Sequence, residues 1–428
     1  VLQSFSTTTA EWLAQKGSNV LGIIADDFTG ATDIATMLRR SGHRVAVVIE
    51  DGALTPEYLA ELDAVVVALK SRSGSKENAV GASLDALRNL RSWGADRFYV
   101  KYCSTFDSTA EGNIGPVLDA ISEELGVQKC VVVPSLPANG RTVYNGHLFV
   151  GSELLENSSM RDHPLTPMTR SRVADLLRPQ TPHPISEVMR TTVRKGHSAL
   201  RSAIDAAEGR YVVVDAIDDD DLATIGAATM DDLLVSGGSG LALGIYGPGQ
   251  NDDFWSPPSR GRGAVLCGSA SHTTLAQIAH AAHSQPVRQI DIHAAIADPD
   301  REAFDLASWF FAQSDDSLPV VCASRKGEDI RPRINGVQSA PVIERVLTQL
   351  AIRLVADATV SGMIVAGGET SGAVVRGLAI QTLRIGPELA PGVCWSSTEV
   401  SGRPFGLALK SGNFGENDLF TSAWERLT

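Results

Sequence analysis

The sequence has no long apolar run. Crossing a bilayer takes ~20 consecutive apolar residues, and its longest runs, such as Ala64–Leu69, have strand length instead. A membrane-spanning helix is excluded. Cysteine is sparse: the five residues, at positions 103, 130, 267, 322 and 394, are odd in number, widely spaced and without a C-x-x-C. That argues against a zinc ribbon or a disulfide framework and fits a reducing, cytoplasmic interior. Positive charge is also short, with 37 Lys and Arg against 50 Asp and Glu and a net charge of −13. Such a surface repels nucleic acid and anionic lipid, so neither is expected as a partner. A small anionic substrate stays compatible, because screening over ~8 Å at physiological salt lets a local group of cations dominate a cleft.

Several signatures of common chemistry are missing as well. There is no G-x-x-x-x-G-K-[ST], which excludes a P-loop enzyme, and no G-x-G-x-x-G follows the first strand, which argues against a dinucleotide-dependent dehydrogenase. No H-E-x-x-H is present, so His147 and His163 read as structural. No G-x-S-x-G stands at a strand-to-helix elbow, which disfavours a Ser-His-Asp hydrolase. The acid run Asp218–Asp221 reads as a solvated turn rather than a metal site.

What remains is ample core-building material. The 428 residues are 43% hydrophobic and 20% charged, which excludes a disordered chain. At ~150 residues per domain they make two or three domains. Short β-branched runs alternate with longer amphipathic stretches. Strands are expected at Val20–Ala25, Arg44–Ile49, Leu62–Leu69, Arg97–Lys101, Lys129–Val133 and Tyr211–Asp215, with helices at Ala31–Ser41, Ala79–Trp93 and Gly115–Leu125. Near-continuous apolar strands separated by helices mark parallel α/β sheets covered on both faces. A further strand is expected at Gly240–Tyr246, followed by a Gly-, Pro- and charge-rich linker at 249–263. A second α/β series then runs through Ala264–Gly268, Gln289–Ile292, Pro319–Ala323, Gly362–Ala366 and Gln381–Ile385. The expected organisation is a polar tail at 1–19 without the pattern of a secretory signal, a domain at 20–248, the linker, and a domain at 264–428.

The polar residues concentrate where such sheets bind ligands, just past strand ends. The first strand runs into Asp26-Asp27-Phe28-Thr29-Gly30. Asp27 or Thr29 could cap the following helix, but a cap needs one side chain, and the adjacent acid suggests an acceptor for a hydroxyl proton. Lys70 and Arg72 follow the third strand, and Lys101-Tyr-Cys-Ser-Thr-Phe-Asp-Ser-Thr109 brings Lys101, Ser104, Thr105 and Asp107 into one loop. Asn139 and Arg141 stand in the turn after the Lys129–Val133 strand. In a parallel sheet these loops share one edge, where a guanidinium can grip a carboxylate through two bonds and hydroxyls and amides can bind a polyol. The second half carries glycine-rich turns of another kind. Gly268-Ser-Ala-Ser271 and Gly367-Gly-Glu-Thr370 each lie between a strand and a helix, and Lys410-Ser-Gly412 adds a lysine loop. Free amides at a helix N-terminus favour phosphate, and glycine lets it approach the backbone, so a nucleotide site is expected there.

Taken together, these strings resemble the four-carbon acid sugar kinase family. The resemblance is carried by Asp26-Asp-Phe-Thr-Gly-Ala-Thr-Asp33, Lys101–Gly115, Asn139-Gly-Arg-Thr-Val-Tyr-Asn-Gly-His147 and Met160-Arg-Asp-His-Pro-Leu-Thr-Pro-Met168, with the three glycine turns of the second half. It runs from about Leu21 to Phe420, and within the family it is most like the 3-oxo-tetronate branch. It implies two α/β domains, each a mainly parallel sheet flanked by helices, with an interdomain active-site cleft. The first would bind the sugar acid; on the reading of its strand ends above, Lys70, Arg72, Lys101, Ser104, Thr105, Asp107, Asn139 and Arg141 are the expected contacts and Asp26 or Asp27 the catalytic carboxylate. The second would bind ATP, with Mg²⁺, through Gly268, Ser269, Ser271, Gly367, Gly368, Glu369, Thr370 and Gly412. Ala270 stands where the family would show a second cysteine, a change that leaves the backbone and both serines in place. Phosphate would pass to the 4-hydroxyl of a 3-oxo-tetronate, with threonate or erythronate as the alternative acceptor. A non-catalytic sensor of the same two ligands is the rival of another class, and an oligomer is compatible with either.

Overall fold

The computed structural model describes residues 20–162, 166–249, 254–258, 261–327, 333–334 and 336–427. The expected tail at 1–19, His163 and part of the expected linker lie outside them. The chain divides into two compact units, Val1–Asn251 and Asp252–Thr428.

The first unit is built on a parallel sheet. In chain order its strands are β1 (Val20–Ala25), β2 (Val45–Ile49), β3 (Ala64–Ala68), β4 (Ala95–Lys101) and β5 (Cys130–Val133). A small antiparallel sheet of β6 (Arg141–Tyr144), β7 (His147–Val150) and β8 (Glu153–Leu154) follows, and then β9 (Ile185–Val188), β10 (Tyr211–Val214) and β11 (Leu234–Gly237) return to the main sheet. The spatial order is β2-β3-β1-β4-β11-β5-β10-β9, parallel throughout. Runs such as Ala-Val-Val-Val-Ala in β3 are buried at every position, as a sheet covered on both faces requires. β1 lies between β3 and β4, so the chain leaves it in one direction toward β2 and later crosses to its other side. Its C-terminal end is therefore the switch point where such sheets open a ligand crevice.

The β6–β7 hairpin turns on Asn145 and Gly146, at φ of 49° and 74°, the left-handed pair that a tight Asn-Gly turn uses. Asp215, at the end of β10, fastens this turn: its carboxylate accepts the backbone N–H groups of Asn145 (2.8 Å), Gly146 (2.9 Å) and Arg190 (2.9 Å). Burial nevertheless raises the pKa of Asp215, outweighing those three bonds.

In the second unit the strands are β12 (Arg262–Cys267), β13 (Val287–Gln289), β14 (Val320–Cys322), the short hairpin β15 (Arg333–Ile334) with β16 (Val337–Gln338), β17 (Val360–Ala366), β18 (Thr382–Ala390), β19 (Val393–Val400) and β20 (Arg403–Lys410). Their sheet runs β13-β14-β12-β17-β20-β19-β18, parallel from β13 to β20 and antiparallel over the last two. Trp395 is fully buried in its core and meets Trp424 edge-on at 5.0 Å between ring centroids.

Three expectations change. The apolar stretch expected as a strand at Gly240–Tyr246 is a 3₁₀ turn over Gly240–Gly244. Its glycines are jammed against backbone, since a Cβ on Gly240 would lie 2.2 Å from the Ser135 carbonyl and one on Gly244 2.2 Å from that of Leu222. Close packing of the turn, not pairing, buries it. The strand expected at Gln289–Ile292 ends at Gln289, because Asp291 caps a helix at Ile292–Ala297. The acid run Asp218–Asp221 is no solvated turn. Asp218 caps the helix Asp219–Ala228, while Asp221 is fully buried against Arg190 at 2.7 Å.

Candidate active site

Asp26 and Asp27 emerge from the C-terminal end of β1 with different duties. Asp27 is the N-cap of the helix Phe28–Arg40: its Oδ1 accepts the Gly30 N–H at 3.0 Å and its Oδ2 the Thr29 hydroxyl at 2.7 Å. Asp26 receives the fork of Arg72, with Nε at 2.8 Å and Nη2 at 2.7 Å, and the same Nη2 reaches Asp27 at 2.6 Å. One guanidinium thus bridges both carboxylates. Burial alone would raise the pKa of Asp27, but the charges of Arg72 and Lys101, with the Thr29 and Gly30 bonds, outweigh it and hold Asp27 below the usual carboxylate range. Burial alone would lower that of Arg72, and Asp26 and Asp27 instead hold it well above its ordinary value.

Lys101 ends β4 and is buried, its Nζ donating to the Tyr102 carbonyl at 2.9 Å. A Cβ on Gly30 would meet that Nζ at 2.9 Å and Asp27 Oδ1 at 2.2 Å, so only glycine lets the helix start this close to the lysine. The loop after β4 is internally bonded: Thr105 donates to Asp107 at 2.6 Å and lies 2.9 Å from the Cys103 sulfur. Burial pushes the Cys103 thiol up to about 12, which disfavours the thiolate form. Ser104 is buried beside these groups. Asp26, Arg72, Lys101, Asp107 and Ser108 line one cavity with Ser71 and Asn113.

The other expected residues are placed differently. Lys70 is exposed. Asn139 and Arg141 lie beyond β5, which β4 and β11 separate from β1, and Arg141 Nη1 donates to the Asn139 carbonyl. Neither lines the cavity around Asp26. Among the described residues, Asn139 Nδ2 and Arg141 Nε are buried without a hydrogen-bond partner. His147 holds the Asn145 carbonyl at 2.8 Å, a structural contact.

Sequence reading did not single out Asn113. It occupies the N-cap position of the helix Ile114–Leu125 but makes no cap bond. Instead its amide donates to the carbonyls of Ser71 (2.8 Å), Gly74 (2.9 Å) and, at 3.4 Å, Arg72, fixing the turn that carries Arg72. The available signal was an asparagine directly before a helix within a Gly-flanked string.

In the second unit a cavity of about 370 Å³ opens at the C-terminal ends of β12 and β17. Gly268, Ser269, Ala270, Gly367, Gly368, Glu369, Thr370 and Gly412 line one side, and Ile292, Ile334, Ala340 and Ile343 give it an apolar wall. The two glycine turns touch: a Cβ on Gly268 would fall 1.9 Å from Thr370 Oγ1. Gly367 has φ of 119°, a conformation L side chains rarely adopt. The two helix starts differ. Ser271 caps the helix His272–Ala281, whereas Gly367 leaves the start of the helix Gly368–Gly377 without a side-chain cap. Uncapped amides at a helix N-terminus are anion donors.

This division of labour, carboxylates and cations in one unit and a glycine-lined cavity in the other, is matched by known proteins. A sugar-binding N-terminal domain model covers residues 21–245 and a nucleotide-binding C-terminal domain model covers 264–420. The 3-oxo-tetronate kinase of Brucella melitensis biotype 1 is 43% identical over 94% of this chain and 94% of its own length. The chain belongs to the four-carbon acid sugar kinase family. A second family member, the 3-oxo-tetronate kinase of Pectobacterium atrosepticum, is 41% identical over 94% of the chain and 98% of its own length. The crystal structure of Haemophilus influenzae protein HI1011 has 38% identity and a TM-score of 0.75, covering 95% of this chain and 100% of that one. Across the family member described here no helix is long and apolar enough to cross a membrane, among the described residues.

Proposed function

We propose that the protein is an ATP-dependent kinase that phosphorylates the 4-hydroxyl of 3-oxo-tetronate, giving 3-oxo-tetronate 4-phosphate. The observation that carries this reading is full-length similarity to relatives of that name at about 40% identity. Those names favour the 3-oxo acid over threonate or erythronate.

The first unit holds the acceptor and the second holds ATP. In the transfer the 4-hydroxyl oxygen bonds the γ-phosphorus, the bridging bond to the β-phosphate breaks, ADP leaves, and the hydroxyl proton goes to a carboxylate. Of the two aspartates, Asp26 lines the cavity while Asp27 is committed to its helix. Asp26 is therefore the proton acceptor in this reading, its position fixed by the Arg72 fork, while Arg72 and Lys101 supply positive charge. Because the transition state is loose, positioning and charge stabilisation provide most of the acceleration.

The Gly268–Ser271 and Gly367–Thr370 turns and Gly412 take the phosphates, and the apolar wall takes the base. Mg²⁺ is ordinarily held by one or two carboxylates together with phosphate and water. Among the described residues no group of three or more His, Cys, Asp or Glu forms a ready metal site. A cation carried mainly by the triphosphate suits that donor set, with Glu369 as the protein's carboxylate. When bound it would neutralise phosphate charge.

Gly268→Ala is expected to raise the ATP KM about tenfold or more while leaving the acceptor KM unchanged, because the new methyl would force the two turns apart. Steady-state kinetics with each substrate varied in turn reads this. The function itself is tested by ADP release over D and L four-carbon acids, with and without the 3-oxo group. Turnover confined to 3-oxo acids is expected; preference for a hydroxy acid overturns the substrate, and binding of both ligands without ADP release marks a sensor.

A further inference from the structure

Lys410 ends β20 and is completely buried, yet no carboxylate pairs with it among the described residues. Its Nζ donates instead to the Gly412 carbonyl at 3.0 Å and to Thr274 Oγ1 at 3.1 Å. The same carbonyl accepts Ser271 Oγ at 2.6 Å and Thr274 Oγ1 at 2.9 Å. Three donors thus converge on one oxygen, more than its two lone pairs ordinarily serve. Further along the loop, Gln277 Nε2 lies within 3.1 Å of the carbonyls of Phe414, Gly415 and Glu416. Residues 412–416 are thereby latched to the helix His272–Ala281.

The latch has a geometric consequence. In a trans peptide the carbonyl and the following N–H point in opposite directions. A Gly412 carbonyl drawn inward toward Lys410 turns the Asn413 N–H the other way. Asn413 is exposed, and among the described residues no protein acceptor takes that N–H, while the preceding Gly412 lines the cavity. Gly412 must also stay glycine-sized, since a Cβ would sit 2.4 Å from Ser269 Oγ.

We propose that Lys410, with Thr274, is a positioning residue for the nucleotide: by holding the Gly412 carbonyl it fixes the Gly412–Asn413 peptide so that the Asn413 amide serves as a phosphate donor. The inference rests on the reading of this cavity as the ATP site. Lys410 acts through the loop rather than on the ligand. Burying an unpaired cation is costly, and burial lowers its pKa to about 8, so the fold retains it against its own interest.

The test compares the full-length protein with Lys410→Met, Thr274→Val and Thr274→Ser, after thermal unfolding confirms that each folds. Calorimetric ATP binding and the two KM values are measured. Lys410→Met and Thr274→Val are expected to weaken ATP binding and raise its KM about tenfold, with kcat within threefold and the acceptor KM unchanged. Thr274→Ser, which keeps the hydroxyl, is expected to restore the wild-type values. Unchanged ATP binding in the folded Lys410→Met protein overturns the proposal, as does an equal loss in both KM values. Failure of the wild-type protein to bind ATP would instead overturn the reading of the cavity.

Discussion

Replacing Asp26 by asparagine is expected to lower kcat by ~10²–10⁴-fold, the range over which a positioned acid or base contributes to proton transfer. Asparagine keeps the shape and one acceptor for Arg72 but cannot take the hydroxyl proton. The KM values for ATP and acceptor should stay within a few fold, since the loss falls in the transition state. Asp27→Asn is the informative partner. Asparagine caps helices as well as aspartate does, so the Gly30 bond and the start of the helix Phe28–Arg40 survive, and kcat should remain within about tenfold of wild type. The reverse ranking of the two variants would transfer the proton-accepting role to Asp27.

Arg72→Met is expected to destabilise the first unit by ~3–5 kcal/mol at neutral pH, the cost of removing one partner from a buried ion pair. The side chains of Arg72, Asp26 and Asp27 are 26%, 18% and 20% exposed, and that partial solvation points to the lower end of the range. The effect should depend on pH. The folded-state pKa of Asp27 lies below its ordinary 3.8, so its ionised form contributes stability that is present above that value and lost as pH falls through the folded one. Without Arg72 the two carboxylates repel and are poorly solvated, a penalty that protonation relieves. The gap between variant and wild type is therefore widest near pH 7 and narrows below about pH 4. Urea unfolding at pH 7 and at about pH 3 measures it, and an equal gap at the two would show that Arg72 acts through packing rather than charge.

The sheets were largely legible because valine-rich runs with strand length have few other stable fates. β1 was read to the residue, and most of the other strands that were called came within two residues, while β6–β9, β11, β15, β16, β19 and β20 were not called. The misreadings have physical causes. Gly240–Gly244 has the apolarity of a strand, but its glycines allow backbone contacts that no local pattern reports. Asp221 belongs to an acid run that reads as solvated until Arg190, distant in sequence, is folded against it. The antiparallel β19 carries Ser396, Ser397, Thr398 and Glu399 among its apolar residues, and its period was too mixed to declare it.

For the site, the sequence by itself determined the kinds of group present: adjacent aspartates after a strand, basic residues after its neighbours, and glycine turns before helices. Those follow from local chain chemistry, since strand ends and helix starts are set within a few residues. Only the tertiary structure decided who partners whom. It gave the Arg72 fork to Asp26 and Asp27, set Asn113 beneath the Arg72 turn, put Asn139 and Arg141 beyond two intervening strands, and buried Lys410 under the Gly412 loop. Hydrogen bonds between residues dozens of positions apart depend on strand order, and strand order depends on how the whole chain crosses its own sheet.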